Sequence, residues 1–276
     1  MRAEDDEDEA LRVERTEWAG ASVLVGHDEV VREDPLEIRI AGTPLAVVMR
    51  TPGHDEELAR GFLVSEGIVR SPAEVHAVRH CSGAAGDAEG NVVQVTLAPG
   101  VEVDWARLRR HMYASSSCGV CGKRTIADAL AIAKPLSDDG TRVVSETLYA
   151  LPERLREAQA VFGRTGGLHA AGLFDPVGRV QVVREDVGRH NAVDKVIGWS
   201  LRRGRFPLGG CVLLVSGRIS YEIAQKALVA RLPVVAAVSA PSSLAVELAE
   251  RSGMALVGFL RGTTLNVYGR RERILR

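Results

Sequence analysis

Two cysteines separated by two residues are the feature of this sequence with the clearest chemistry. Cys118 and Cys121 lie in a stretch rich in serine and glycine (residues 115–122), between two predicted helices. This composition predicts an exposed and mobile loop. Lys123 and Arg124 follow the pair, and together with the start of the second helix they would lower the thiol pKa and favour the thiolate. The pair is therefore a candidate for reactive sulfur chemistry or for metal binding.

Three kinds of chemistry use such a pair. A zinc half-site needs further ligands at suitable spacing, but Cys81 and Cys211 are isolated. His54-Asp55-Glu56 matches the His-x-Glu half of a zinc deaminase, although Ser117 stands where those enzymes have proline before the first cysteine. A thioredoxin-type redox pair should follow a strand, whereas this one follows a predicted helix. Composition alone leaves a redox pair and a nucleophilic sulfur carrier open.

Loops that follow three predicted strands form a second candidate site. The strands are short and apolar and alternate with predicted helices, which indicates a sheet of buried strands: Cys211–Val215, Val234–Val238 and Leu256–Leu260. Ligands of such sheets bind beyond the carboxyl ends of the strands, where this chain has small residues and hydroxyls at 216–220, 239–243 and 261–264. Arg218 and Arg261 add donors suited to phosphate. Neither a P-loop nor a Gly-x-Gly-x-x-Gly motif is present. We therefore predict a phosphate-rich ligand, but not ATP bound by a P-loop.

A polar cluster precedes the apolar face of another predicted helix. Its members are Asp186, Arg189, His190 and Asn191. The cluster is either a capped and solvated helix start or part of a pocket at the strand ends, and the residue types do not distinguish the two.

The hydrophobic pattern predicts an α/β chain with an α+β N-terminal part. The pattern predicts an N-terminal hairpin of two strands at 36–40 and 44–49, a helix at 54–66 and two further strands at 75–79 and 92–97. Pro152 is expected to open a helix that ends at Phe162, and a second hairpin at 168–174 and 179–183 begins the layered part. We therefore predict a disordered acidic tail (1–15), an N-terminal domain with the cysteine loop (16–150) and a C-terminal domain (151–276).

Composition and charge argue against several classes of function. The chain has 276 residues, of which 46% are apolar and 26% charged, and these ordinary values argue against a disordered chain. No apolar run is long enough for a membrane span, and the start carries six acids in ten residues without an apolar signal segment. The net charge of −1 and the 4% aromatic content do not favour nucleic-acid binding. A cytoplasmic protein is expected.

Motifs along most of the chain resemble the FdhD family, the formate dehydrogenase accessory sulfurtransferases. The resemblance runs in matched order from about residue 20 to the end, with one departure at Leu265, where an aromatic residue is expected. The acidic tail is not part of it. The motifs that carry it are Arg50–Asp55, Gly61–Leu63, Glu66–Ile68, Ser117–Gly122, Gly166–Ala171, Arg184–Lys195, Ser216–Arg218, Ala237–Pro241, Val257–Gly262 and Asn266–Tyr268.

The resemblance implies a function and a fold. Members carry sulfur as a cysteine persulfide, receive it from a cysteine desulfurase and pass it to the bis-molybdopterin guanine dinucleotide molybdenum cofactor before that cofactor enters formate dehydrogenase. Cys118 would carry the persulfide, and Cys121 would assist or relay. The C-terminal domain would be a three-layer, cytidine deaminase-like domain that binds no metal directly, and the protein would be a homodimer. The residues expected to bind the cofactor are Phe259, Leu260, Arg261, Gly262, Thr263, Thr264, Ser216, Arg218 and His190.

Two other functions remain open. A non-catalytic chaperone would bind the molybdenum cofactor and use the cysteines only to dock a partner. A zinc-dependent deaminase would require zinc at the cysteine pair. Arginines near the C-terminus are too few for a nucleic-acid footprint.

Overall fold

The computed structural model describes residues 9–81, 90–105, 108 and 133–276. Its described elements form a mixed α/β fold, as the sequence predicts, with a two-stranded ribbon, a four-stranded sheet and a six-stranded sheet as the main strand assemblies. Within the described ranges, no helix has the length and apolar character needed to cross a membrane.

An antiparallel ribbon opens the chain. It consists of β1 (Ala10–Ala19) and β2 (Ser22–Val31). The sequence predicts a disordered tail through residue 15, but residues 10–15 pair with 26–31 in this ribbon, so that part of the prediction is wrong. The reason is cross-strand pairing: Leu11 faces Val30 and Arg12 faces Glu29, which gives the charged segment strand partners that its acidic composition does not reveal.

The four-stranded sheet confirms the predicted N-terminal hairpin. Its strands lie in the order β4-β3-β6-β5, with β3 parallel to β6 and the other pairs antiparallel. One face packs on helix α1 through an apolar stripe of the helix that includes Leu58, Phe62 and Leu63. The elements are β3 (Asp34–Ile40), β4 (Thr43–Arg50), α1 (Asp55–Ser65), a 3₁₀ turn (Pro72–Glu74), β5 (Val75–His80) and β6 (Val92–Leu97).

The segment around Pro152 differs from the prediction. Short strand β7 (Val143–Val144) leads into helix α2 (Ser145–Glu157), which contains Pro152 in its interior, so Pro152 does not open the helix. The helix begins earlier because its buried face needs Leu148 as well as Leu151 and Leu155, which follow at helical spacing. Helix α3 (Ala160–Thr165) then precedes the large sheet.

The expected boundary between residues 150 and 151 falls inside α2. Residues before it already pack with the C-terminal part, since β7 pairs with the last strand, β14 (Ile274–Leu275). The buried Arg273 holds the same region by donating to Asp139 at 2.6 Å and to the carbonyl oxygen of Ser137 at 3.2 Å.

The six-stranded sheet forms the centre of three layers. Its order is β13-β12-β11-β10-β8-β9, and strands β10, β11 and β12 run parallel. Side chains of β10 alternate between two cores: Leu213 and Val215 face the layer that contains α1 and the helices after β9, while Val212 and Leu214 face α2. The elements are β8 (His169–Phe174), β9 (Val180–Asp186), α4 (Arg189–Arg202), β10 (Val212–Val215), α5 (Tyr221–Val229), β11 (Val234–Ala237), α6 (Ser243–Ser252), β12 (Ala255–Arg261) and β13 (Thr264–Gly269).

The two predicted domains share one core through a close helix crossing. Helices α1 and α4 approach so tightly that a Cβ atom added at Gly61 would lie 1.8 Å from the carbonyl oxygen of Asp194. Reciprocally, a Cβ atom at Gly198 would lie 1.7 Å from the carbonyl oxygen of Glu57. Because only glycine permits this distance, the N-terminal part is pressed directly onto the helix that carries the polar cluster.

Candidate functional site

The site lies at one edge of the six-stranded sheet. Strand β8 pairs antiparallel with both β9 and β10, so β9 runs in the same direction as β10, β11 and β12. Their carboxyl ends and the beginning of β8 therefore meet at the same edge. All nine predicted ligand-binding positions lie at or directly after these strand ends: Ser216, Arg218, His190 and the run Phe259–Thr264.

Hydrogen bonds join the strand-end loops into a continuous surface. The amide of Ile219 donates to the carbonyl oxygen of Ala240 at 3.2 Å, and that of Ser242 donates back to Ile219 at 2.9 Å. The amide of Phe259 donates to the carbonyl oxygen of Ser239 at 3.0 Å. The loops after β10, β11 and β12 thus hold one another in place.

The segment from Phe259 to Thr264 presents most of its side chains to solvent. Phe259 has a φ of 53° at an irregularity in the pairing of β12 with β13, and its side chain is exposed. Arg261 is exposed and donates through Nε to the carbonyl oxygen of Val238 at 3.1 Å. Gly262 and Thr263 form the exposed turn. Leu260 is the exception, because its side chain is fully buried in the core on the α2 side.

Arg218 is the charged side chain at this edge that is best placed to receive a ligand. It is exposed, and it forms no hydrogen bond or ion pair with the residues that the structure describes. Its guanidinium group can therefore bind an anion without first breaking a contact with the described part of the chain.

Serine hydroxyls at the edge accept hydrogen bonds from backbone amides and stabilise the fold. Ser216 Oγ accepts from the amide of Ala170 at 2.9 Å and extends the pairing of β8 with β10. Ser220 accepts from the amide of Ile223 and caps α5, and Ser242 caps α6 in the same way through the amide of Ala245. Each helix start therefore already has one internal acceptor.

His169 and Arg189 lie at this edge, although the predicted ligand set omits them. A Cβ atom added at Gly217 would lie 3.6 Å from Nδ1 of His169 and 3.8 Å from Cδ of Arg189, so the two side chains flank this glycine. Arg189 Nε is buried without a partner among the described residues. Burial first, and then the charges of Arg189 and His190, lower the pKa of His169. The motif Gly166–Ala171 was the available signal for His169.

His190 connects the edge to a neighbouring cavity. Its Nε2 lies 2.8 Å from Glu222 Oε2 and 3.3 Å from Ser220 Oγ, both at the start of α5. The cavity, of about 80 Å³, lies between α1, α4 and α5. Burial raises the pKa of Asp194 in its wall, while Lys226, at 2.7 Å, opposes the effect. The lining residues are Val48, Phe62, Ser65, Glu66, His190, Asn191, Asp194, Glu222, Gln225 and Lys226.

Two members of the polar cluster hold the N-terminal part against the edge. Asp186 is fully buried and lies 2.9 Å from Lys195 Nζ, and it accepts from the amide of Thr51 at 3.2 Å. Asn191 donates to the carbonyl oxygen of Met49 at 2.7 Å. For these two residues the structure therefore favours a structural role over ligand binding.

Cys118 and Cys121 lie outside the described residues. Of the alternative zinc motif, His54 precedes α1, and Asp55 is paired with Arg50 through two hydrogen bonds of 2.9 Å. Among the side chains that the structure describes, no three His, Cys, Asp or Glu residues are grouped so that they could hold a metal ion. The described edge offers arginine and hydroxyl donors, which suit an anionic ligand.

Comparison with known proteins identifies relatives over nearly the whole chain. The chain is 53% identical to the sulfur carrier protein FdhD of Mycobacterium tuberculosis, across 91% of this chain and 94% of the relative. It is 54% identical to the protein of that name from Streptomyces avermitilis, across 90% and 89%. A crystal structure from Desulfotalea psychrophila, described as a formate dehydrogenase accessory protein, matches with a TM-score of 0.77 at 25% identity, across 96% of this chain and 99% of that one. The model of the FdhD/NarQ family matches residues 31–275. The chain therefore belongs to the FdhD/NarQ family.

Proposed function

We propose that this chain is a cytoplasmic sulfur carrier that serves formate dehydrogenase. It takes sulfur from a cysteine desulfurase onto Cys118 and passes it to the bis-molybdopterin guanine dinucleotide molybdenum cofactor, with Cys121 assisting and the protein acting as a homodimer. The observation that carries the proposal is the exposed Arg218, which has no partner among the described residues, at an edge built from four strand ends, in a chain half identical to proteins named sulfur carriers.

Sulfur loading requires no external oxidant. The Cys118 thiolate attacks the outer sulfur of the desulfurase persulfide, the S–S bond of that persulfide breaks, and the desulfurase thiolate leaves with the bonding electrons. The outer sulfur arrives on Cys118 as a persulfide. In the second step this sulfur transfers as S⁰, the Cys118 thiolate leaves with the electron pair, and the molybdenum centre supplies the two electrons that convert the sulfur to a sulfide ligand.

The strand-end edge holds the client cofactor in this proposal. Arg218 and Arg261 bind the pyrophosphate groups of its guanine dinucleotide arms, because a guanidinium group matches two phosphate oxygens at once. Thr263 is exposed beside them and adds a hydroxyl donor, whereas the hydroxyl of Thr264 donates to the carbonyl oxygen of Arg261 at 3.0 Å. In this proposal the edge holds the cofactor and Cys118 carries the sulfur.

Intact-protein mass spectrometry tests the carrier function directly. After incubation with an active cysteine desulfurase and cysteine, the full chain should gain one sulfur, about 32 Da, that a thiol reductant removes. The gain should disappear in Cys118→Ala. Cys211→Ala is the matched control and should keep the gain, because burial raises the pKa of the Cys211 thiol and disfavours its thiolate. An unmodified wild-type chain, or a gain that persists in Cys118→Ala, contradicts the assignment.

Binding of guanosine diphosphate tests the edge separately. Arg218→Ala should bind this probe about tenfold more weakly than the wild type, since one charged hydrogen-bonding group is lost. Arg251→Ala, an exposed arginine on α6, is the control and should bind normally. Nucleotide binding without any sulfur gain would favour the chaperone function.

A further inference from the structure

The first described residue lies beside the strand-end edge. Glu9 covers Gly53, because a Cβ atom added at that glycine would lie 3.0 Å from Glu9 Oε1. Two residues earlier, the amide of Thr51 donates to Asp186 at 3.2 Å, and its hydroxyl accepts from the amide of Val187 at 3.1 Å. Both partners lie at the end of β9. The residues that precede Glu9 are therefore attached next to the candidate site.

The base of the β1–β2 ribbon gives the same position by a second route. Val31, at the end of β2, packs at Gly167, with its Cγ1 3.0 Å from the position of a Cβ atom on that glycine. His169 follows two residues later at the start of β8 and flanks Gly217. Arg218 comes directly after Gly217. A few residue lengths therefore separate the base of the ribbon from Arg218.

Five consecutive acids precede Glu9, and they can reach this arginine. We call residues 4–8, which lie outside the described residues, the acidic segment. From Ala10, the strand partner of Val31, the contacts above trace a path of about 25 Å to Arg218, which is an upper limit on the direct distance. Six extended residues span about 20 Å. The long side chains of arginine and glutamate cover the difference.

The edge carries positive charge that the described chain does not neutralise. Three arginines there form no ion pair with the residues that the structure describes. The acids nearby already face cations, since Asp186 lies 2.9 Å from Lys195 Nζ. Glu222 likewise lies 2.8 Å from His190 Nε2. The edge therefore attracts carboxylates as well as phosphates. The three are Arg189, whose buried Nε has no partner among the described residues, Arg218 and Arg261.

We propose that the acidic segment binds the arginines of the strand-end edge and competes there with the anionic ligand. The inference rests on the proposed function for the nature of that ligand, whereas the contact itself can be measured without it. Because it is tethered, the segment acts at an effective concentration in the millimolar range, while exposed ion pairs are individually weak. It therefore lowers the affinity of the edge for a free anion by about threefold to tenfold at low salt.

Titration of the full chain with guanosine diphosphate tests the competition. Neutralising three acids of the segment together should tighten binding at least about threefold in about 50 mM salt, and the gain should disappear in about 0.5 M salt, where screening weakens exposed contacts. The matched control removes the same charge from exposed positions of α2, on the other face of the sheet, and should leave the affinity unchanged. The segment variant is Asp5→Asn, Asp6→Asn and Glu7→Gln, and the control is Glu146→Gln, Glu153→Gln and Glu157→Gln.

Two further variants separate charge from other effects of the substitutions. Asp5→Glu with Asp6→Glu keeps both charges and should bind guanosine diphosphate like the wild type. In an Arg218→Ala background the neutralised segment should give a smaller gain than in the wild type, because one of its partners is missing. An equal gain in both backgrounds would contradict a contact with Arg218.

A carbodiimide cross-link tests the contact without any nucleotide. Arg218→Lys places an amine at the edge, and this amine should couple to a carboxylate of the acidic segment, as identified by mass spectrometry of the linked peptides. Arg251→Lys, at an exposed position on α6, is the control and should give no link to the segment.

The outcomes distinguish this proposal from the proposed function. Absence of the link at position 218, or a neutralised segment that binds guanosine diphosphate like the wild type, would overturn the contact and leave the edge as the ligand site. A link at position 218 in a protein that binds no guanosine diphosphate in any variant would support the contact and contradict the role of the edge in the proposed function.

Discussion

Substituting Gly61 with alanine should force apart the two helices that join the halves of this protein. The added Cβ atom would lie 1.8 Å from the carbonyl oxygen of Asp194, and ordinary contact begins at 3.4 Å. Both groups belong to helix backbones, so no side-chain rotation relieves the contact. Helices α1 and α4 must therefore separate by about 1.5 Å at their crossing, far more than a close-packed core absorbs.

The cost follows from what lies beside the crossing. Leu58 and Phe62 of α1 and Val193 and Ile197 of α4 are buried in the shared core and would lose part of their packing. Overpacking costs about 1–3 kcal/mol where side chains can adjust. Since only backbone can move here, we expect a loss of about 3 kcal/mol, which lowers the melting temperature of a chain of this size by about 6 to 12 °C.

Thermal and urea unfolding of the variants measure this loss. Gly198→Ala should behave alike, since its Cβ atom would lie 1.7 Å from the carbonyl oxygen of Glu57. The double variant should lose less than the sum of the two single losses, because one helix displacement relieves both contacts. Gly163→Ala in α3 is the control: nothing lies within 4 Å of its Cβ position, and alanine should be neutral or stabilise by about 0.5–1 kcal/mol. A Gly61→Ala protein that melts within about 2 °C of the wild type would refute the reasoning.

Two further substitutions address buried charges. Lys195→Met leaves the fully buried Asp186 without its cation and should lower the free energy of unfolding by about 3 kcal/mol in urea; a loss below about 1 kcal/mol contradicts the pairing. Arg273→Met should destabilise the protein at pH 5 more than at pH 2. Burial raises the pKa of Asp139, but hydrogen bonds from Arg273 and Thr141 outweigh it and lower the pKa to about 2. The stabilisation from this depressed pKa is complete above about pH 4 and is lost as the pH falls through 2, so an equal difference in melting temperature at both pH values would contradict it.

Many of the strands could be predicted from the sequence, because the alternation of apolar and polar residues that marks a strand is a local pattern. The hairpin of β3 and β4 and the short strands β10 and β11 appear where apolar and polar residues alternate or where short apolar runs stand between breakers. Local rules failed where tertiary contacts outweighed them. Pro152 lies inside α2 because Leu148 is needed in the core, and residues 10–15 form a strand because β2 supplies their partners.

The candidate site was predictable in outline. Loops after parallel strands must share an edge, so Arg218 and Arg261 could be assigned to one surface from strand order alone. His169 could not, because it reaches that edge only through the antiparallel pairing of β8 with β10. Leu260 stands in the expected cofactor-binding run, yet the pleat of β12 turns its side chain into the core.

The periodic elements, the strand-end loops and the cysteine pair could be identified without the fold, because each depends on residue types at short spacing. Which polar residues face solvent at the edge, and which hold the two halves together, follows from packing between distant segments. Asp186 and Arg218 look equally suited to a ligand in the sequence. Asp186 is buried against Lys195 and against Thr51, 135 residues earlier in the chain, while Arg218 stays exposed. That difference arises from packing between distant segments, and burial of a charge requires a partner that only the folded chain supplies.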